Sequence, residues 1–364
     1  MSFLDLIVKP TVIVNLLKVE NNIRRMIQRA KESNASLRPH FKTHQSGQIG
    51  ELFRKHNLTS ITVSSVSMAR YFAMHGWTDI TIAFPFNIRE AKSLSEIQRL
   101  AKVTLITASS ETVVYLQEHL NEAVDLMLKI DTGNQRSGIP SSNYQSIQKL
   151  VDSINKSKLI HFAGFLVHAG HTYKAKGLSE IQQIADHGHE VLSTLKSNYG
   201  VEKVISWGDT PSCSMAQMKG YFDEWRPGNF VFYDLMQYHI GSCQLDDIAV
   251  IVACPVVEIQ PDRKKLIIYG GAIHFSKEFI AADNGFQLFG YIVLPHENGW
   301  SEPISGAWLS SVSQEHGIVM FSGDEASYFK PGDLIGIMPV HSCLVTSANK
   351  EMLSTDGELI TCMK

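Results

Sequence analysis

Two periodicities alternate along the first two-thirds of the chain. Short β-branched runs at residues 11–16, 37–42, 60–65, 79–84, 102–107, 124–131, 159–168 and 203–208 read as buried strands. Between them lie stretches with apolar side chains three and four apart. In residues 18–32 these are Val19, Ile23, Met26, Ile27 and Ala30, the stripe of an amphipathic helix. Residues 48–55, 89–100, 111–120, 143–154 and 178–197 repeat that pattern. Eight strands, mostly with a helix after each, predict an α/β fold of the (β/α)₈ TIM-like barrel type. An open doubly wound sheet is the competing arrangement. No G-x-G-x-x-G follows the first strand, which weighs against its dinucleotide-binding form.

Beyond about Phe230 the helical period fades. Residues 230–234, 248–259, 265–272, 286–294, 306–312, 318–321 and 334–340 are strand-like, and Pro261-Asp262, Asn298-Gly299, Ser322-Gly323 and Pro331-Gly332-Asp333 supply turns. The expected organisation is a barrel over 11–240 and a mostly β domain over 241–364, which residues 1–10 could join.

Composition narrows the class without touching the chemistry. The chain has 364 residues with 33 Lys+Arg against 36 Asp+Glu, a formal charge of 33 − 36 = −3. That length supports a core without staples, and the absence of a basic run argues against nucleic acid as a partner. The five cysteines, Cys213, Cys243, Cys254, Cys343 and Cys362, are odd in number, widely spaced and without C-x-x-C. No disulfide framework is expected, which suits a cytoplasmic protein. The first ten residues lack a signal-peptide pattern. The longest apolar run, interrupted by Pro255, is too short to span a membrane.

Active sites of βα-barrels lie at the C-terminal ends of the strands, so the strand ends are where chemistry is sought. Arg38-Pro39-His40-Phe41-Lys42-Thr43-His44 ends one strand. A lysine there is either paired in a rim salt bridge or a reactive amine able to form an imine with a carbonyl. Asp131-Thr132-Gly133-Asn134-Gln135-Arg136 ends another; Arg136 could meet a phosphate, a carboxylate or a ring nitrogen, or be a surface arginine on a turn. His168 opens His168-Ala169-Gly170-His171-Thr172-Tyr173, and Gly208-Asp209-Thr210-Pro211-Ser212 could cradle a phosphate or be a plain turn. In the second domain, His341-Ser342-Cys343 read as a strand end would place an imidazole and a thiol on one side, a pair suited to Zn²⁺ or a buried thiol beside an unrelated histidine. Gln314-Glu315-His316-Gly317 is either an acid–base pair or a polar turn.

Taken in order, these segments resemble the pyridoxal-phosphate enzymes with an alanine-racemase-like barrel (fold type III), in the branch of D-serine dehydratases and D-threonine aldolases. The resemblance runs from Pro10 to about Asn349. It implies that Lys42 is the cofactor lysine and the base at Cα. Arg136 would lie near the pyridine ring, and Tyr173, Thr210 and the Gly208 backbone, with His40 and His168, around the cofactor. His341 and Cys343 would hold Zn²⁺ or another divalent metal. The implied activity is that of a lyase removing water and ammonia from a D-β-hydroxy amino acid such as D-serine; aldolase cleavage and racemisation are the alternatives. A homodimer is implied by the same resemblance. The chain departs from the pattern at Gln45, at Leu166 and in a histidine, His274, with no assigned role.

Overall fold

In the computed structural model, residues 3–281 and 285–364 are described. Around the barrel run Ser36–Leu37, Glu224–Trp225, Val204–Gly208, Ile160–His168, Val124–Asp131, Lys102–Thr107, Asp79–Pro85 and Ser60–Val63. The pairs are parallel, and a single bridge from His40 to Thr62 closes the ring. The expected (β/α)₈ barrel is present, with two changes of strand. Thr11–Val14, expected as its first strand, instead pairs antiparallel with Val250–Gln260 and parallel with Glu351–Ser354 in the second domain. Glu224–Trp225 takes the vacated place. Its two residues include a charged one, so no hydrophobic run announces it. Glu224 is buried because Ser206 Oγ donates to it at 2.5 Å and Arg38 Nε at 2.5 Å.

Polar residues placed just after the strands begin the helices. Ser46, Ser65, Ser109, Asn143 and Asp209 accept hydrogen bonds from backbone N–H groups of Gly47–Lys55, Val66–Met74, Ser110–His119, Tyr144–Asn155 and Thr210–Met215 respectively, satisfying donors that a helix start leaves unpaired. Val66–Met74 has no counterpart in the sequence pattern. Residues 230–234, expected as strand, instead join the 3-10 turn Asn229–Val231 to the helix Leu235–Ile240.

The strands are buried on both faces, as parallel barrel strands must be. In Val124–Asp131, Met127 and Lys129 share a face. Met127 packs with Ile106 and Leu166 in a small cluster separate from the main core, and Lys129 stands one pleat higher towards the strand ends.

The second domain is a nine-stranded sheet. Val250–Gln260 pairs with both Leu334–Pro339 and Lys265–Tyr269. With His316–Phe321, Ala307–Val312 and Gly290–Val293 between them, the strands curl into a closed antiparallel ring. Thr11–Val14, Glu351–Ser354 and Leu359–Thr361 extend the sheet on one side. The five cysteines are free thiols. No helix among the described residues is long and apolar enough to cross a membrane.

Candidate active site

A cavity of about 700 Å³ opens at the C-terminal ends of the barrel strands, a volume suited to a small ligand. Lys42, His40, Arg136, His168 and Tyr173 line it from the barrel, and His341 and Cys343 from the second domain. Gly208 and Thr210 stand on either side of Asp209, which also lines it. Gln314–Gly317 lies elsewhere. Its backbone carbonyls accept hydrogen bonds from the 270–274 segment, which makes it the polar turn rather than an acid–base pair in this cavity. His274 Nδ1 accepts from the Gly271 amide within the same segment.

Lys42 sits in a turn beyond the strand, not in it, and its side chain is exposed to the cavity. No ion pair or side-chain hydrogen bond involves its amine among the described residues, so the salt-bridge reading of this lysine fails. The turn is fixed instead through its backbone. The Lys42 amide donates to His40 Nδ1 at 3.3 Å, Gln45 Nε2 donates to the Lys42 carbonyl at 3.1 Å, and Gln45 holds a positive φ of 48°.

His40 and His168 are held in the neutral form. Burial, with Lys42 next in effect, pushes both well below the usual imidazole range. His168 Nδ1–H donates to the Gly208 carbonyl at 2.7 Å, which leaves its Nε2 as an acceptor. Tyr173 is held protonated by burial and by the nearby Asp209, and its hydroxyl accepts from the Thr210 amide at 3.4 Å.

Four basic side chains, Lys42, Lys129, Arg136 and Arg226, line the cavity against two acidic ones, Asp209 and Glu278. That balance favours an anionic ligand. Thr210 Oγ1 and Asn229 Oδ1 are buried without a partner, a costly state that a ligand would relieve. At Gly228 a Cβ would stand 2.9 Å from the His40 carbonyl oxygen, so only glycine lets these loops approach so closely. A free amine, unpaired polar atoms and excess positive charge in one cavity fit pyridoxal phosphate.

Asp209, Lys129, Arg226 and Asn229 had not been singled out in the sequence. Burial brings Lys129 down to about 7, with Arg226 and Arg136 adding to the shift. Burial likewise raises Asp209 to about 6, although Ser212 N, Ser212 Oγ and Thr172 Oγ1 all donate to it. Arg226 is 4% exposed. Its Nε donates to Ser206 Oγ and its Nη2 to the Val167 and Ser206 carbonyls. Two arginines thus reach the cavity where Arg136 alone was expected, and the buried one follows the unanticipated barrel strand. That strand would have been the signal for it.

The His341–Cys343 pair is built differently from its expectation. His341 precedes the helix Ser342–Asn349, so the two side chains meet across a helix start and not along a strand. Buried Asp234 fixes that start: Ser342 N donates to it at 2.9 Å and Asn229 Nδ2 at 2.6 Å. Burial pulls the Cys343 thiol up, but the His341 imidazole beside it outweighs this and lowers it. Burial alone would lower His341, and Cys343 and Glu278 reverse the direction. No cluster of three or more His, Cys, Asp or Glu suited to a metal occurs among the described residues. Imidazole plus thiolate fits Zn²⁺ as a two-donor site whose other positions are left to water and substrate.

Residues 14–235 match the family described as "Alanine racemase, N-terminal domain" and residues 249–355 that described as "Putative serine dehydratase domain". A D-serine dehydratase of Dictyostelium discoideum is 27% identical and aligns over 98% of this chain and 95% of its own. A D-threo-3-hydroxyaspartate dehydratase of Delftia sp. is 27% identical over 97% of this chain and 96% of its own. Its solved structure superposes with a TM-score of 0.90 at 25% identity, over 100% of this chain and 99% of that one. A cysteine-to-alanine mutant of that enzyme has been solved in a metal-free form. A D-threonine aldolase of Arthrobacter sp. is 23% identical over 62% of this chain and 61% of its own. With its barrel matched by the first family and its β domain by the second, the chain belongs to the alanine-racemase-like, fold type III family of pyridoxal-phosphate enzymes, in the branch that carries a serine dehydratase domain.

Proposed function

We propose that this protein is a pyridoxal-phosphate lyase that eliminates water from a D-β-hydroxy amino acid, as a D-serine dehydratase does, releasing pyruvate and ammonia from D-serine. One observation carries the reading: the unpaired amine of Lys42 and the His341–Cys343 pair open into the same cavity. Pyridoxal phosphate, when bound, supplies an electron sink for Cα that no side chain can provide. Lys42 would hold it through Nζ, and the same nitrogen would serve as the base for the Cα proton. The Thr210 and Tyr173 hydroxyls stand as donors for the phosphate beside the Gly208 backbone. Buried Arg226, able only to donate, would suit a ring nitrogen that stays unprotonated, the place the resemblance gave Arg136; exposed Arg136 would then suit a carboxylate. His341 and Cys343 would place a divalent metal, zinc by the chemistry of its donors, against the β-hydroxyl where negative charge develops.

The reading is tested by incubating the purified, cofactor-loaded protein with D-serine and with D-threonine and identifying the products. Pyruvate and ammonia from D-serine are expected. Glycine and acetaldehyde from D-threonine would make it an aldolase, and inverted amino acid a racemase. Lys42→Ala should abolish the absorption near the visible boundary that bound pyridoxal phosphate gives and lower turnover at least about a thousandfold. A protein that never takes up the cofactor would sink the proposal.

A further inference from the structure

Each of the two metal donors is held by one further side chain that the reaction itself does not use. Glu278 Oε2 lies 2.5 Å from His341 Nδ1. As a carboxylate it can only accept, so Nδ1 carries a proton and Nε2 is the nitrogen left for a metal, which would displace any proton there. Thr43 Oγ1 lies 3.1 Å from Cys343 Sγ. Towards a thiolate, the hydroxyl is the donor. Thr43 is fully buried, and its carbonyl accepts from Thr346 Oγ1 at 2.7 Å on the same helix as Cys343. Its backbone is therefore tied to the helix that carries the sulfur its hydroxyl faces. Asn229 Nδ2 approaches the sulfur less closely, at 3.6 Å.

We propose that Glu278 and Thr43 are positioning residues for a metal held by His341 and Cys343: Glu278 fixes the imidazole tautomer and ring plane, and Thr43 fixes the sulfur. The proposal rests on the metal reading given above. With only two protein donors, such a site depends more than a four-ligand site on how rigidly each is held. Thr43 has a second consequence. It directly follows Lys42, so one turn of chain sets both the cofactor lysine and the sulfur, and the distance between the two reactive centres is built into adjacent residues.

The test is zinc affinity, measured by competition with a chromophoric chelator on the full-length, cofactor-loaded protein. Glu278→Ala and Thr43→Val should each weaken binding about 10–100-fold, and Glu278→Gln and Thr43→Ser, which restore an acceptor and a hydroxyl, should recover most of it. Glu278 is 46% exposed at its side chain, so its variants fold whatever happens at buried Thr43. If Glu278→Ala and Thr43→Val bind zinc as tightly as the parent while His341→Ala does not, the positioning role is wrong and the metal site stands. If the parent binds no zinc, or His341→Ala binds it equally well, the metal reading falls and takes this inference with it.

Discussion

At the scale of single residues, Lys129 shows how position sets chemistry. It is 4% exposed, lines the cavity with Arg226 and Arg136, and is brought from 10.5 to about 7 chiefly by burial, with Asp131 opposing the shift. Below about pH 7 the amine is protonated whether the chain is folded or not, and burying that charge costs stability in full. Above it the folded amine gives up its proton while the unfolded one keeps it until about 10.5, so the cost fades as pH rises through this window. Lys129→Met should therefore stabilise the cofactor-free protein at pH 6, on the order of 5 kcal/mol, with a gain that shrinks steadily towards pH 10. Denaturant unfolding at several pH values reads it, and a gain independent of pH would contradict it. Nothing in the sequence set Lys129 apart. It lies in Val124–Asp131 among apolar residues, and only the closure of the barrel shows that its face points inwards. The motif singles out Lys42 in the sequence, and the structure places it in the cavity, but its accessibility was not legible. A strand position implied burial, whereas the chain leaves the strand at Leu37.

Elements decide how firmly those residues are held. Buried Asp234 accepts from the Gln237 amide at 3.0 Å at the start of one helix and from the Ser342 amide at 2.9 Å at the start of another. One carboxylate thus caps a helix next to the barrel and the helix that carries Cys343. Removing a cap costs about 1–2 kcal/mol, so Asp234→Ala should destabilise the protein by about 2–4 kcal/mol in chemical denaturation; a loss below 1 kcal/mol would show that water replaces it. The turn bearing Lys42 is likewise tied to the second domain. Its Thr43, His44 and Gln45 carbonyls accept from Thr346 Oγ1, Cys362 Sγ and the Met363 amide respectively. The helices and longer strands were readable because their apolar spacing is long and regular. Glu224–Trp225 and the Ser342–Asn349 start were not, since each is fixed by polar contacts between residues far apart in the chain.

For the whole molecule, the cavity is shared. The barrel part supplies the amine and the cationic wall; Glu278, His341 and Cys343 come from the second domain. Thr11–Val14 knits the two parts by placing the start of the chain in the second sheet before the barrel begins. We propose a homodimer, the assembly the family resemblance implies, with a C2 interface as the commonest arrangement. Light scattering should return twice the 40.6 kDa chain mass, and a monomer at micromolar concentration would contradict it.

The sequence by itself determined the period of nearly every long helix and strand and the division into a barrel and a β domain, because these depend on local spacing and on residue types in order. It could not say which sheet Thr11–Val14 would join, since a short apolar strand buried on both faces carries no mark of its neighbours. It also could not find Arg226, Lys129, Glu278 or Thr43 as parts of one site. Their roles come from which faces a closed barrel turns inwards and from hydrogen bonds that span hundreds of residues, and only the folded chain brings those partners within reach.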